Sequence, residues 1–311
     1  MSAEYENISY CIELYAGKLI NINQFFIFKA FIKIRKILCV KWSAGNLQYS
    51  RRHLSNVINI SPHIGNHKRP LTDEQFGYYL AGLIEGDGYF GDKSLEIIFH
   101  GKDYSLANRI KKKIGYGNIY KIKYKNAYKL VIRKFLGLKR VIELCNGKFI
   151  GPFKINQLIK YNYELWLNIP ILPNLKIINP NTYWLTGFLD ADGSLGIFIA
   201  NSKTHKLGKS VRLEIKISQK EPFLLKKIKE VFSGTISLPK NQNVYKFKIT
   251  GNIKINKMIH YLDLYNFQSY KYLQYFILRR TYLLIERKEH LTLKGLNKVY
   301  TFKEKLQNVY K

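Results

Sequence analysis

Two stretches of this 311-residue chain, LAGLIEGDG from Leu80 to Gly88 and LTGFLDADG from Leu185 to Gly193, repeat one pattern at the distance of a domain. Each is followed by the same order of parts. After Asp87 come SLEIIF, DYSLANRIKKKIG, GNIYKIKYKNAYKLVI, LGLKRVIELC and GPFKINQLIKYNYELW; after Asp192 come SLGIFIA with SVRLEIKISQ, then EPFLLKKIKEVF, GTISLPKNQNVYKFKIT, NIKINKMIHYLDLY and FQSYKYLQYFILRR. Alternating Val, Ile, Tyr and Phe mark strands, and three-to-four-residue apolar spacing marks helices, so each half reads as αββαββα in an α+β chain. The spacing agrees: 37 positions separate Gly117 from Lys154, and 37 separate Gly234 from Lys271. The predicted division is an N-terminal extension over 1–69, a first half over 70–166, a linker over 167–181 carrying three prolines, and a second half over 182–311 with a C-terminal tail.

Helix signals frame both motifs. Thr72 with Gln75 makes a capping-box pattern, Asn181 is placed to cap the second motif helix, and Gly88 and Gly193 sit where a left-handed C-terminal residue is wanted. Asp87 and Asp192 then lie at helix ends where unpaired carbonyls already concentrate negative charge, so a cation is expected beside them. Gly82 with Gly86, and Gly187 with Ala191, put small residues at i and i+4, which lets two helix backbones approach closely. If these helices pack on each other, the two aspartates converge. Converging carboxylates in a strongly basic chain form a divalent-metal site, and oxygen ligands favour Mg²⁺.

Fifty-two Lys and Arg against 21 Asp and Glu give a formal net charge of +31, which attracts polyanions, nucleic acid first among them. Anionic lipid is the rival partner. Its candidate is Phe25 to Trp42, but Lys29, Lys33, Lys36 and Lys41 interrupt the apolar run too often for a membrane span, leaving an amphipathic helix that packs on the main body. Cys11, Cys39 and Cys145 show no zinc spacing, and His63 and His67, with Gly65 between them, belong to a loop. Heavy use of Ile, Lys, Asn, Tyr and Phe points to an AT-rich coding genome such as an organelle's. Glu4, Glu6 and Glu13 are unlike an acid-poor transit peptide, so synthesis inside the organelle is expected.

The two motifs, with the same order of parts behind each, resemble those of double-motif LAGLIDADG homing endonucleases encoded by mobile group I introns, over roughly Pro70 to Arg287. The resemblance implies two pseudo-symmetric halves in a monomer, each presenting a curved antiparallel sheet to the major groove of double-stranded DNA, with the motif helices as the central seam. It implies Mg²⁺-dependent double-strand cleavage of a long site, in a mitochondrion, with a chloroplast as the alternative. The eighth motif position is the family's catalytic acid, here Asp87 and Asp192, while the sixth, Glu85 and Asp190, is less directly involved. Gln219 falls where the family places a glutamine near the attacking water, and Lys154 and Lys271 fall where it places a lysine near each cleaved phosphate. Arg212, Lys216, Lys246 and Lys248, with Lys121 and Lys123, are the implied DNA-binding residues of the strands.

The first half departs from this pattern. Gln219 is 27 residues after Asp192, but the corresponding position, read as His100, is only 13 after Asp87, so the first hairpin is short and its reading surface reduced. Some members of the family are maturases that bind their group I intron RNA and assist its splicing, which needs a basic surface but not the acids. That is the alternative function, and a non-catalytic DNA-binding protein is a third.

Overall fold

The structure, a computed structural model, describes residues 58–309. The stretch Phe25–Trp42, with Cys11 and Cys39, lies outside the described residues. Among those described, no helix is long and apolar enough to cross a membrane.

The first half runs α1 (Asp73–Asp87), β1 (Gly88–Gly91), β2 (Ser94–His100), α2 (Tyr104–Ile114), β3 (Asn118–Lys121), β4 (Ala127–Ile132), α3 (Phe135–Cys145), α4 (Pro152–Lys160) and α5 (Tyr163–Leu167). The second runs α6 (Trp184–Asp192), β5 (Gly193–Asn201), β6 (Lys209–Gln219), α7 (Phe223–Phe232), β7 (Thr235–Ser237), β8 (Tyr245–Thr250), α8 (Asn252–Leu264), α9 (Lys271–Glu286) and α10 (Leu293–Asn308). Each half holds one four-stranded antiparallel sheet, ordered β1-β2-β4-β3 and β5-β6-β8-β7. Alternation then decides which face is covered. Leu95, Ile97, Phe99, Leu130 and Ile132 of the first sheet, and Ile197, Leu213, Ile215, Ile217, Phe247 and Ile249 of the second, join helix residues in a common core. The residues between them form the open faces.

Helix α1 begins at Thr72, whose hydroxyl accepts from the Gln75 N–H at 3.1 Å, while Gln75 Oε1 accepts from Leu71 N–H, one residue earlier than a capping box requires. Every residue from Tyr79 to Glu85 is buried, as is every residue from Trp184 to Asp190, so both motif helices are enclosed all round. Asn181 does not cap α6. The helix starts later, after Tyr183, and the Asn181 N–H instead donates to Asn179 Oδ1.

Gly88 and Gly193 are not left-handed. Their φ values are −91° and −75°, in extended backbone that leads straight from each motif helix into a strand. Glycine is needed there for space: a Cβ would sit 2.7 Å from Ile84 Cα in one half and 2.6 Å from the Leu189 carbonyl oxygen in the other.

Strand register also corrects the position opposite Gln219. Gly88 pairs with Ile97 and Gly193 with Ile217, and Phe99 faces Tyr128 as Gln219 faces Tyr245. Phe99, not His100, is therefore the counterpart of Gln219, 12 residues after Asp87. The first hairpin is shorter still than the sequence spacing suggests, because β1 spans 4 residues and β5 spans 9.

Two segments without counterparts cross between the halves. Residues 58–68 lie along the second half, where Asn256 bonds both the N–H and the carbonyl of Ile58, and Asn266 Oδ1 accepts from Lys68 N–H. The C-terminal tail forms α10, which buries Leu296, Val299 and Leu306, and the carbonyl of Val309 just beyond it accepts from Lys102 of the first half at 2.8 Å.

Candidate active site

The seam is built by α1 and α6 lying backbone to backbone. A Cβ at Gly82 would overlap the Trp184 carbonyl oxygen, and one at Gly187 would overlap that of Tyr79, so close approach of the two helices forbids any side chain at either place. Gly86 faces Ala191 across the seam, and its missing Cβ would lie 2.8 Å from Asp192 Oδ2. The expected small residues thus lie at the helix contact, Gly82 and Gly187 where the backbones touch and Gly86 against Ala191.

The aspartates meet in a partly dehydrated setting. Burial, then repulsion from Asp192, pushes Asp87 up to about 7, against the attraction of Lys271 and Lys154. Asp192 is raised by burial as well, opposed by Lys271 and by a 2.5 Å hydrogen bond from Gln219 Nε2 to its Oδ2. A cleft beside them is lined by Asp87, Ile98, His100, Asp103, Ser269 and Lys271 among others.

The expected cations are the two lysines. Lys154 Nζ donates to the Gly88 carbonyl at 2.5 Å, at the end of α1. Lys271 Nζ donates to the carbonyls of Leu189, Asp190 and Ala191 at 2.7–3.0 Å, at the end of α6. Each ammonium thus answers the negative end of one motif helix while standing next to the carboxylate pair. Burial lowers both lysine pKa values, with the neighbouring acids pulling them back up.

Among the described residues no group of three His, Cys, Asp or Glu is arranged to hold a metal. Two carboxylates with no third protein ligand suit an ion that keeps most of its shell as water and phosphate oxygen, which is how Mg²⁺ is usually held beside a phosphate substrate. Zinc, which takes three or four protein ligands, does not fit this donor set.

The sixth-position acids have a different task. Glu85 accepts from the N–H groups of Ile150 and Gly151 ahead of α4, and Asp190 from those of Gln268 and Ser269 ahead of α9, with the Ser269 hydroxyl also donating to Asp190. Each also takes a bond from the opposite half: Trp184 Nε1 donates to Glu85 at 2.7 Å, and Tyr79 OH to Asp190 at 2.9 Å. Burial raises Glu85 to about 8 and Asp190 to about 6, with these donors holding both down.

Tyr79 and Trp184 escaped sequence reading. The available signal was that each immediately precedes the first leucine of its motif and each combines a large ring with a donor. Asp103, buried and accepting from the Tyr270 N–H at 2.6 Å next to Lys271, carried no motif signal.

Of the strand residues, Arg212, Lys216, Lys246 and Lys248 share the open face of the second sheet, where Lys216 pairs with Lys248 in register. Lys121 ends β3 on the alternate parity, exposed, and Lys123 lies in the turn that follows.

Comparison with known proteins agrees with this geometry. A LAGLIDADG endonuclease family model matches residues 185–282. The chain is 40% identical over 309 residues to the "Uncharacterized cox1 intron-2 37.2 kDa protein" of Schizosaccharomyces pombe, covering 94% of this chain and 90% of that one. It is 30% identical over 192 residues to the "Intron-encoded RNA maturase bI4" of Saccharomyces cerevisiae, covering 60% of this chain and 28% of that protein. Other curated relatives are likewise spanned over less than half their length. The crystal structure of the I-LtrWI LAGLIDADG homing endonuclease bound to target DNA superposes with a TM-score of 0.61 at 24% identity, over 75% of this chain and 98% of that one. A repeated motif, a helix seam that excludes side chains at Gly82 and Gly187, and a near-full-length relative at 40% identity lead to one assignment: the chain belongs to the LAGLIDADG endonuclease family.

Proposed function

We propose that the chain is an intron-encoded, site-specific endonuclease that makes a double-strand break in the intronless allele by Mg²⁺-dependent phosphodiester hydrolysis, and so mediates intron homing. The observation that carries this is the half-buried pair Asp87 and Asp192, facing each other across a seam where Gly82 and Gly187 leave no room for a side chain. The pair would hold Mg²⁺ against the scissile phosphates, and the ion would polarise the phosphate and lower the pKa of the attacking water. Gln219, bonded to Asp192, orients that water in the second half. Lys154 and Lys271 bring one positive charge per half to where negative charge grows on the phosphate. The basic open face of the second sheet, with Lys121 and Lys123 at the edge of the first, neutralises phosphates.

The working division is a 1–69 extension, halves over 70–166 and 182–311, and a linker over 167–181, acting as a monomer. The names of the relatives place comparable proteins in fungal introns such as that of cox1, which supports a mitochondrial setting. The second reading is a maturase that binds its group I intron RNA, favoured by the shortened first hairpin.

The deciding experiment is Mg²⁺-dependent cleavage of intronless mitochondrial DNA, with Asp87→Asn and Asp192→Asn beside the wild type. A discrete double-strand cut lost in both variants supports the endonuclease. Tight binding of intron RNA with no cut on DNA containing the uninterrupted host gene supports the maturase.

A further inference from the structure

The open faces of the two sheets occupy the same place relative to the seam, since β1 starts at the residue after Asp87 and β5 at the residue after Asp192. Register aligns them position by position, and their chemistry differs at nearly every one. Tyr89 stands where the second sheet has Ser194, Glu96 where it has Lys216, Ile98 where it has Ser218, Val131 where it has Lys248, and Tyr120 where it has Ser237. Lys129 matches Lys246, but it is bonded to Glu96 at 2.9 Å and carries no free charge outward. On the central strands β2 and β4 the first face is therefore charge-neutral, with the Glu96–Lys129 pair beside the exposed Ile98 (48%), while the exposed rings of Tyr89 (48%) and Tyr120 (53%) stand on the edge strands β1 and β3. Its β3–β4 end is basic, with Lys121, Lys123 and Lys125 in or beside the turn and all exposed, whereas at the β1–β2 turn Lys93 stands next to the exposed Asp92.

A face with lysines at one end and exposed apolar or aromatic side chains across it suits a DNA groove, with phosphates at the edges and base edges in the middle. In the major groove the one apolar group a base pair offers is the thymine 5-methyl. We propose that the open face of the first sheet, through Ile98 and Tyr120, reads thymine methyl groups, so that the half of the target lying under the first sheet is thymine-rich and is recognised by apolar contact rather than by hydrogen bonds. This rests on the endonuclease reading and adds the recognition chemistry of one half-site.

The test starts from the duplex that the full chain selects from a random library without divalent metal. Thymines are replaced by deoxyuridine, which removes only the methyl, in one half of that duplex at a time, and affinity is measured for wild type, Ile98→Ala, Tyr120→Ala and the double variant. Removing methyls from one half is expected to weaken wild-type binding by about threefold to fourfold per contacted thymine, from the transfer free energy of one methyl-sized group. The same replacement should cost each single variant less than it costs wild type, by the share of the contact that its own residue made, and should leave the Ile98→Ala/Tyr120→Ala double variant nearly unchanged. Both residues are exposed, and melting curves equal to wild type verify that the variants fold.

Equal sensitivity in both halves, no sensitivity in either, or sensitivity that is undiminished in both single variants and in the double variant overturns the proposal. So does preferential binding of single-stranded RNA that is weakened by Tyr120→Ala, which makes the face a stacking platform. A library that yields no enriched duplex sinks the endonuclease reading itself, and this proposal with it.

Discussion

The seam and the sheets respond to the internal repeat in opposite ways. At the seam the halves match residue for residue: Gly82 and Gly187 both exclude a Cβ, Glu85 and Asp190 both hold the turn before a later helix, and Lys154 and Lys271 both sit on the end of a motif helix. On the open faces the same two-fold relation aligns Ser194 with Tyr89 and Lys216 with Glu96. The difference follows from what each surface meets. A seam meets its own copy and must stay self-complementary, whereas on the proposed function each sheet would meet a different stretch of DNA and so be free to diverge.

The sharpest test of that contrast is at the carboxylates. Asp87→Asn and Asp192→Asn should each lower Mg²⁺-dependent cleavage by roughly a thousandfold or more while leaving DNA affinity nearly intact, since both acids belong to the matched seam. Cleavage that survives in one of them breaks the symmetry of the seam.

Equivalent positions with divergent chemistry should separate in kind. Phe99→Ala should cost about 3–5 kcal/mol of stability, the usual range for a buried phenylalanine, measured by denaturant unfolding. Gln219→Ala at the matching place should leave stability nearly unchanged and slow one of the two strand cuts by about tenfold to a hundredfold, so that nicked duplex accumulates.

The open faces give a smaller effect. Lys216→Ala and Lys246→Ala should each weaken DNA binding and reduce the slope of log affinity against log salt by about one, whereas Lys129→Ala, whose ammonium is already paired with Glu96, should change the slope by much less. Equal slopes for all three make the two faces electrostatically alike.

A separate effect concerns pH. Glu85 has a folded-state pKa of about 8 against a reference of 4.5, so between those values the folded protein holds a proton that the unfolded chain releases. Its contribution to stability is fully present below the lower value and is lost as pH rises through the upper one. The melting temperature of wild type relative to Glu85→Gln should accordingly fall between about pH 5 and pH 9. A constant difference would mean that the donors from Ile150, Gly151 and Trp184 keep Glu85 ionised throughout.

Much of the architecture was legible because it rests on periodicity and local spacing. Alternation along RLEIKISQ placed Arg212 and Lys216 on one face, and the 37-residue spacing correctly paired Lys154 with Lys271. The failures arose where tertiary contact overrides local preference. Gly88 looked like a left-handed cap because glycine often is one, but here it is required by the crowding of Ile84. His100 was matched to Gln219 by its place in the order of parts, and only hydrogen-bond register shows that Phe99, twelve residues past Asp87, stands there. The hydrogen bonds from Tyr79 and Trp184 span 111 and 99 positions, beyond the reach of any local pattern.

Those two bonds have a consequence for the halves as separable modules. Each half keeps the acid that anchors its own turn, yet the ring that completes that acid's hydrogen bonding comes from the other half. A half expressed alone would leave a buried-type carboxylate one donor short and its motif helix uncovered. A hybrid made by joining the first half to the second half of a relative would inherit a correct pairing only if the incoming residue at the Trp184 position also offers a donor to Glu85. Swapping at this seam is therefore a matching problem between two reciprocal handshakes, and a library of chimaeras sorted by the residues at positions 79 and 184 should separate into folded and unfolded members along that line.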